Sequence, residues 1–272
     1  MLDPPPKIRL KTLFVSDLHL GTRGCQAEAF LEFLKHYDAE ALYLIGDIVD
    51  AWRLKASWHW PQAHNVVVQK LLRKARKGTR VVYIPGNHDE FLRDYVGDDF
   101  GGVEIVEEAV IDLVDGRRAL LLHGDKFDTV VRNMKWLAHL GDWAYDLALF
   151  LNRYLNMARR RLGMTYWSFS AAAKAKVKQA VNFIGAFEQA VVADAEKQGA
   201  QVVICGHIHH AASRRLGPIH YMNCGDWVES RTAIGEHLDG RMELIRWDDV
   251  VAEAASEPAA VVSVPQSLQP AA

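Results

Sequence analysis

The chain has 272 residues, 50% of them apolar, and a net charge of −2 from 32 basic and 34 acidic side chains. That is apolar material enough for one large core, but too little charge for a global field that attracts nucleic acid, so an anionic substrate must be met by bound metal or local Arg and Lys. Three cysteines, Cys25, Cys205 and Cys224, form neither a zinc pattern nor a disulfide framework; with no apolar signal segment in Met1 to Lys11 and no long apolar run, a cytoplasmic chain without a spanning helix is expected.

Strand-like and helix-like segments alternate through the first half. Lys11 to Ser16, Ala41 to Ile45 and Arg80 to Pro85 are short apolar runs, separated by helical periodicity over about Gln26 to Tyr37 and about Gln62 to Lys77. This is the βαβ pattern of a largely parallel sheet. Val103 to Leu122 reads as strands joined by a turn at Asp115-Gly116, with Ala119 to Leu122 as the last of them. Helical stretches follow over Thr129 to Arg161 and Ser168 to Lys197. Then come strands at Gln201 to Cys205 and Ile219 to Asn223, and a hairpin turning at Asp239-Gly240. Residues 251–272, rich in Ala, Val, Pro, Ser and Gln, read as a disordered tail. The domain expected is therefore 8–250, with two sheets packed face to face and helices outside.

Five polar segments stand at or just after the strand ends: Asp17-Leu18-His19, Gly46-Asp47-Ile48-Val49-Asp50, Gly86-Asn87-His88-Asp89, His123-Gly124-Asp125 and Gly206-His207-Ile208-His209. Taken singly, each has a structural reading; Gly-Asn-His-Asp, for example, suits a turn that caps a helix. Taken together, they gather carboxylate, amide and imidazole groups along one sheet edge, where the loops of open α/β sheets form crevices. Such a set suits a pair of divalent cations. Two ions roughly 3.5–4 Å apart can share a bridging hydroxide and neutralise phosphoryl oxygens during in-line attack. Ligation without thiolate suits Mn²⁺, Fe or Zn²⁺, and Mn²⁺ is favoured here.

In their order, D-x-H, G-D-x-x-[DE], G-N-H-[DE], H-G-D and G-H-x-H, these segments resemble the calcineurin-like metallophosphoesterase superfamily. The spacings are 30, 40, 36 and 84 positions between Asp17, Asp47, Asn87, His123 and His207. The resemblance implies a two-sheet β-sandwich flanked by helices. It also implies Asp17, His19, Asp47 and His209 around one metal and Asp47, Asn87, His123 and His207 around the other, with Asp47 bridging. His88 is not needed in either set, which leaves its imidazole free to stabilise developing charge or protonate a leaving oxygen. Asp89 is a candidate for fixing the His88 tautomer. Asp50 and Asp125 are candidates for orienting metal-bound imidazoles.

Within the superfamily the chain is similar to the group of UDP-2,3-diacylglucosamine pyrophosphatases of lipid A synthesis. Asp17-Leu18-His19-Leu20-Gly21, the run from Ala41 to Trp52 and the helical insertion after Asp125 carry the likeness. It implies cleavage of a pyrophosphate in a UDP-linked diacylated sugar, with the insertion, residues 129–197, forming a cap over the acyl chains. Three departures lie near the expected scissile bond: His88 where that group has Arg, Asp50 where it has Glu, and Lys126-Phe127-Asp128-Thr129 in place of a C-T-D-D-like element. They keep a paralogue acting on another phosphomono- or diester as the alternative. A non-catalytic metal-dependent scaffold is the reading from another class, and the complete ligand inventory argues against it.

Several features bear on a lipid-linked substrate. Trp136, Leu137, Leu140, Trp143, Leu147, Phe150, Leu151 and Tyr154 fall on or near one helical face and suit either core packing or an acyl groove, and Arg159-Arg160-Arg161 could meet anionic headgroups. Trp52, Trp58 and Trp60 could stack a base or cover apolar surface. Ser170, Lys174 and Lys178 share one helical face and could offer donors to a diphosphate. The partner expected is therefore a phosphoester, with a lipid-linked nucleotide favoured and nucleic acid not. Contact with the cytoplasmic face of the inner membrane would be peripheral, and the oligomeric state stays open.

Overall fold

A computed structural model of the chain describes residues 7–128 and 170–256, with residues 170–181 described by their backbone alone. In chain order the first strands and helices are β1 (Ile8–Val15), α1 (Ala27–His36), β2 (Tyr37–Ile45), α2 (Ala51–Ala56), α3 (Gln62–Arg76), β3 (Arg80–Ile84), β4 (Asp99–Phe100), β5 (Val103–Ile105), β6 (Ala109–Asp112) and β7 (Arg118–Leu121). After the insertion come α4 (Ser170–Lys197), β8 (Val202–Cys205), β9 (Ala212–Leu216), β10 (Ile219–Asn223), β11 (Thr232–His237), β12 (Met242–Arg246) and α5 (Trp247–Ser256). The expected cap helix from Thr129 to Arg161, with its aromatic face and Arg159-Arg160-Arg161, lies outside the described residues.

Two sheets form, a seven-stranded one in the order β12-β11-β1-β2-β3-β5-β4 and a five-stranded one in the order β6-β7-β8-β10-β9. The strands that lead into the polar segments are parallel within each sheet: β1, β2 and β3 in the first, β7 and β8 in the second. The side-chain period of two explains the layering. In the first sheet Leu42, Leu44, Val81 and Tyr83 face α1 and α3, while Phe14, Tyr43, Ile45, Val82 and Ile84 face the second sheet. In the second, Ala119, Leu121, Val202 and Ile204 meet them, and Leu120, Leu122, Val203 and Cys205 turn outward to Phe187, Val191 and Ala195 of α4. The continuous apolar runs in the sequence are strands buried on both faces, as a helix–sheet–sheet–helix sandwich requires.

Helix α1 presents Ala27, Phe30, Phe33 and Leu34 to this core at helical spacing, with Glu28 in its first turn and Lys35 and His36 in its last, complementing the helix dipole. It ends directly in β2, so Tyr37 to Glu40 are strand where the apolar pattern begins only at Ala41; the pairing of Tyr37, Asp38 and Ala39 with Ile8, Arg9 and Leu10 extends the strand beyond its apolar part. The chain crosses between sheets after β5, so the single Val103–Leu122 region divides: β5 pairs β3, and the hairpin β6–β7 turns at Gly116, whose φ is +82°. Residues 251–256, expected in the tail, instead complete α5, where Trp247 meets Phe33 edge to face. Residues 257–272 lie outside the described part.

Phe33 is fully buried among Phe30, Tyr37, Trp227 and Trp247, with ring centroids 4.8 to 6.2 Å away. Phe33→Ala should therefore leave a cavity under the first sheet and lower stability by about 3–5 kcal/mol, read from the urea midpoint of unfolding.

Candidate metal centre

All five polar segments meet at one edge, because each follows a strand running the same way in its sheet. Asp17 follows β1, Asp47 follows β2, Asn87 follows β3, His123 follows β7 and His207 follows β8. The turns that bring them inward are sharp. Among the described residues, six that are not glycine have positive φ; five are Asp17, His19, Asp47, His207 and His209, at φ between 52° and 72°. Such left-handed conformations cost a side-chain-bearing residue energy and cluster where function demands a direction.

Close packing leaves room only for glycine beside them. A Cβ on Gly46 would fall 2.2 Å from His123 Nδ1, one on Gly86 2.3 Å from Asp47 Oδ1, and one on Gly206 2.4 Å from Asp17 Oδ2. The glycines of three motifs are therefore contact surfaces for the acidic and imidazole groups of others. Backbone amides hold the carboxylates: the N–H of His207 donates to Asp17 Oδ2 at 2.9 Å, and that of His88 to Asp47 Oδ1 at 2.8 Å.

Two groups of donors result. Around Asp17 Oδ1 stand His209 Nε2 at 3.2 Å and His19 Nε2 at 3.8 Å, and the two imidazole nitrogens face each other at 3.2 Å. Around Asp47 Oδ2 stand His123 Nε2 at 3.3 Å, His19 Nε2 at 3.9 Å and His88 Nε2 at 4.0 Å. Potential ligand atoms cluster in three overlapping sets, Asp17 with His19 and His209, His19 with Asp47 and His88, and Asp47 with His123 and His207. Asp47 and His19 each belong to two of these, and Asp47 is the carboxylate that the second and third sets share.

The electrostatics favour cations. Burial alone would raise the Asp17 and Asp47 carboxyls, yet His19 and His209 beside Asp17, and His123 beside Asp47, hold both below the usual carboxylate range. Burial disfavours charge on His19 and His123, but Asp17 and Asp50 beside His19, and Asp47 beside His123, push each imidazole up to about 10. Asp17 Oδ1, Asn87 Oδ1 and His123 Nε2 are buried without a hydrogen-bond partner among the described residues. Buried polar atoms rarely stay unpaired; Asp17 and His123 belong to the clusters above, and Asn87 lies between Gly86, which abuts Asp47 and His123, and His88, whose amide donates to Asp47, so carboxylate, amide and imidazole donors are supplied at one edge. These residues fit divalent metal.

Other hydrogen bonds select which nitrogen faces the centre. His19 Nδ1 lies 3.2 Å from Asp50 Oδ2, and His123 Nδ1 donates to the Ile45 carbonyl at 3.0 Å, so each leaves Nε2 toward the cluster. Asp50 also caps α2 through the Arg53 amide and lies 3.0 Å from His88 Nδ1. The Trp52 ring stands 4.4 Å from that of His88, with the indole half exposed.

Asp89 and Asp125 sit elsewhere. The Asp89 carboxylate accepts amides of Asp47, Ile48, Val49 and Gly86 and the Tyr83 hydroxyl, a structural tie between loops and not a partner of the His88 ring. Asp125 receives both its hydrogen bonds from Arg93. Asp128, which the sequence marks only as part of a departure from the pyrophosphatase group and gives no site role, lies 2.7 Å from His207 Nε2. The signal was a carboxylate five positions after His123 within the same segment. Trp58 and Trp60 pack on each other, and Trp60 on His64. Ser170, Lys174 and Lys178 lie in the first turns of α4, where the described structure is backbone alone.

Because His19 and His123 are held up to about 10, cations must displace protons from them at neutral pH. Deprotonation frees the ligand nitrogens, so apparent Mn²⁺ affinity should rise with pH from about 6 to about 9, with net proton release. Calorimetric titration in buffers of different ionisation enthalpy measures both quantities, and pH-independent affinity would contradict the assignment.

A profile of the calcineurin-like phosphoesterase family matches residues 10–211. The chain is 31% identical over 256 residues to a UDP-2,3-diacylglucosamine hydrolase of Cellvibrio japonicus (strain Ueda107), covering 88% of this chain and 100% of that protein. It is 29% identical over 248 residues to the protein of the same name from Salmonella typhimurium, covering 89% and 97%. Among solved structures, the E. coli phosphoesterase Yfce aligns over 88% of this chain and 94% of its own at 16% identity, with a TM-score of 0.45. With the family profile spanning most of the sandwich, the chain belongs to the calcineurin-like phosphoesterases and is a metal-dependent hydrolase.

Proposed function

We propose that this hydrolase is a pyrophosphatase of lipid A synthesis, adding water across the pyrophosphate of UDP-2,3-diacylglucosamine to give UMP and the acylated sugar phosphate. The observation that carries the reading is the match to relatives bearing that name along 97% to 100% of their length. Asp17, His19, Asp47 and His209 would hold one ion and Asp47, Asn87, His123 and His207 the other, Mn²⁺ in both. Two such ions supply Lewis acidity toward the phosphoryl oxygens and an activated water.

The chain's own residues do the rest. His88 reaches toward Asp47 through Nε2 while Nδ1 rests near Asp50, an arrangement that suits a proton donor to the departing oxygen. Trp52, tilted against His88 and half exposed, would take the uracil on its free face. Ser170, Lys174 and Lys178, on one side of α4, would offer donors to the diphosphate. The part of residues 129–197 that precedes Phe187 would cover the acyl chains and bring the protein to the cytoplasmic membrane face, because Phe187, Val191 and Ala195, expected in the cap, pack on the second sheet instead. No helix among the described residues is long and apolar enough to cross a membrane, so that contact would be peripheral.

Asp50, His88 and the segment Lys126-Phe127-Asp128-Thr129, the three departures, favour a second reading, in which the same centre serves another phosphoester. Both make a measurable claim. Incubation of the Mn²⁺-loaded protein with UDP-2,3-diacylglucosamine should release UMP faster than phosphate or alcohol is released from simple phosphodiesters. Turnover confined to the simple esters would leave the phosphoesterase and remove the lipid-linked substrate.

The role of His88 separates from metal binding. His88→Ala should lower kcat by about 10²-fold or more on a substrate with a poor leaving group while metal content stays intact. Unaltered turnover would refute the proton-donor role.

A further inference from the structure

We propose that Asp128 is a positioning residue that presents His207 to the second ion through Nδ1, an inference that rests on the dinuclear reading above. An imidazole has two nitrogens, and in its neutral form the one that carries hydrogen cannot ligate. His207 Nε2 lies 2.7 Å from Asp128 Oδ1, the distance of a charge-assisted hydrogen bond, so the hydrogen sits there. Nδ1 retains its lone pair, and no hydrogen bond engages it among the described residues.

The surroundings hold this ring in place. Its backbone is pinned by the bond from the His207 amide to Asp17 Oδ2 and turns at φ 72°. The ring packs between His123, 5.2 Å away, and Phe187, 5.9 Å away. Asp128 itself is fixed by a short 3-10 turn over Asp125–Phe127, which starts at Gly124 with φ +119°; a Cβ there would meet the Phe187 ring at 2.7 Å. One glycine thus lets the chain turn sharply enough to bring Asp128 back over His207.

Asp128 joins none of the three clusters of prospective ligand atoms, so it acts on the imidazole and not on the ion. The pattern repeats within the site: Asp50 engages His19 and the Ile45 carbonyl engages His123 at the nitrogen turned away from the centre. Asp128 completes this arrangement for His207. A carboxylate in that position fixes the ring's orientation and raises its donor strength.

Mn²⁺ titration of the full-length chain, by calorimetry and by metal analysis after dialysis, tests this. The wild type should bind two ions. Asp128→Ala should weaken one of them by about 10–100-fold and leave the other at wild-type affinity, and Asp128→Asn, which retains an acceptor oxygen and the shape without the charge, should fall between. In the protein loaded with diamagnetic Zn²⁺ in place of Mn²⁺, the ¹⁵N shifts of His207 should report hydrogen on Nε2 in the wild type. Two ions bound with wild-type affinity by both variants, or equal weakening of both sites, would overturn the inference and leave the centre standing. A wild-type chain that binds fewer than two ions would overturn the dinuclear reading beneath it.

Discussion

The site depends on a buried carboxylate that sits behind it. Asp89 accepts the amides of Asp47, Ile48 and Val49 from the loop after β2, the Gly86 amide from the loop after β3, and the Tyr83 hydroxyl. Four orphan amides and a phenol converge on one acceptor group, and burial together with the nearby Asp47 charge raises its carboxyl above the ordinary value. The two loops are thereby set in one register. Asp47 can then face both clusters, and Gly86 can lie against Asp47 and His123 closely enough that no larger residue fits.

The second sheet contributes by a different device. His123 enters from β7 and reaches across the sandwich to the Ile45 carbonyl at the end of β2. His207, from β8, reaches through its amide to Asp17 at the end of β1. The centre is therefore stitched between sheets whose apolar faces are already pressed together by Phe14, Ile45, Ile84, Leu121 and Ile204. Packing sets the approach of the sheets, and hydrogen bonds across the edge set the angles. A site so placed is rigid because it is spanned by the core, which suits a chemistry that needs donor atoms fixed before substrate arrives.

Much of this was legible in the sequence. Doubly buried strands announce themselves as uninterrupted Val, Ile and Leu, and polar segments at their ends predicted one shared edge. What the sequence hid was mostly pairing and second partners. Tyr37 to Glu40 carries no strand pattern and becomes strand through β1. Asp89 follows His88 directly, so adjacency suggested a bond to its ring, whereas its carboxylate points into the backbone of another loop. Asp128 has no motif to mark it, and only the turn at Gly124 brings it to His207. Contacts of this kind depend on φ and on neighbours distant in sequence, which periodicity does not encode.

The left-handed conformations at Asp17, His19, Asp47, His207 and His209 place stability and activity in opposition at the same five positions. Each costs the folded chain of the order of 1–3 kcal/mol relative to a residue without a side chain. Laboratory evolution for thermal tolerance alone would find glycine attractive at every one of them. The hardiest descendants would keep the sandwich and discard the donor atoms, so any campaign to toughen this hydrolase must select on metal retention and heat together.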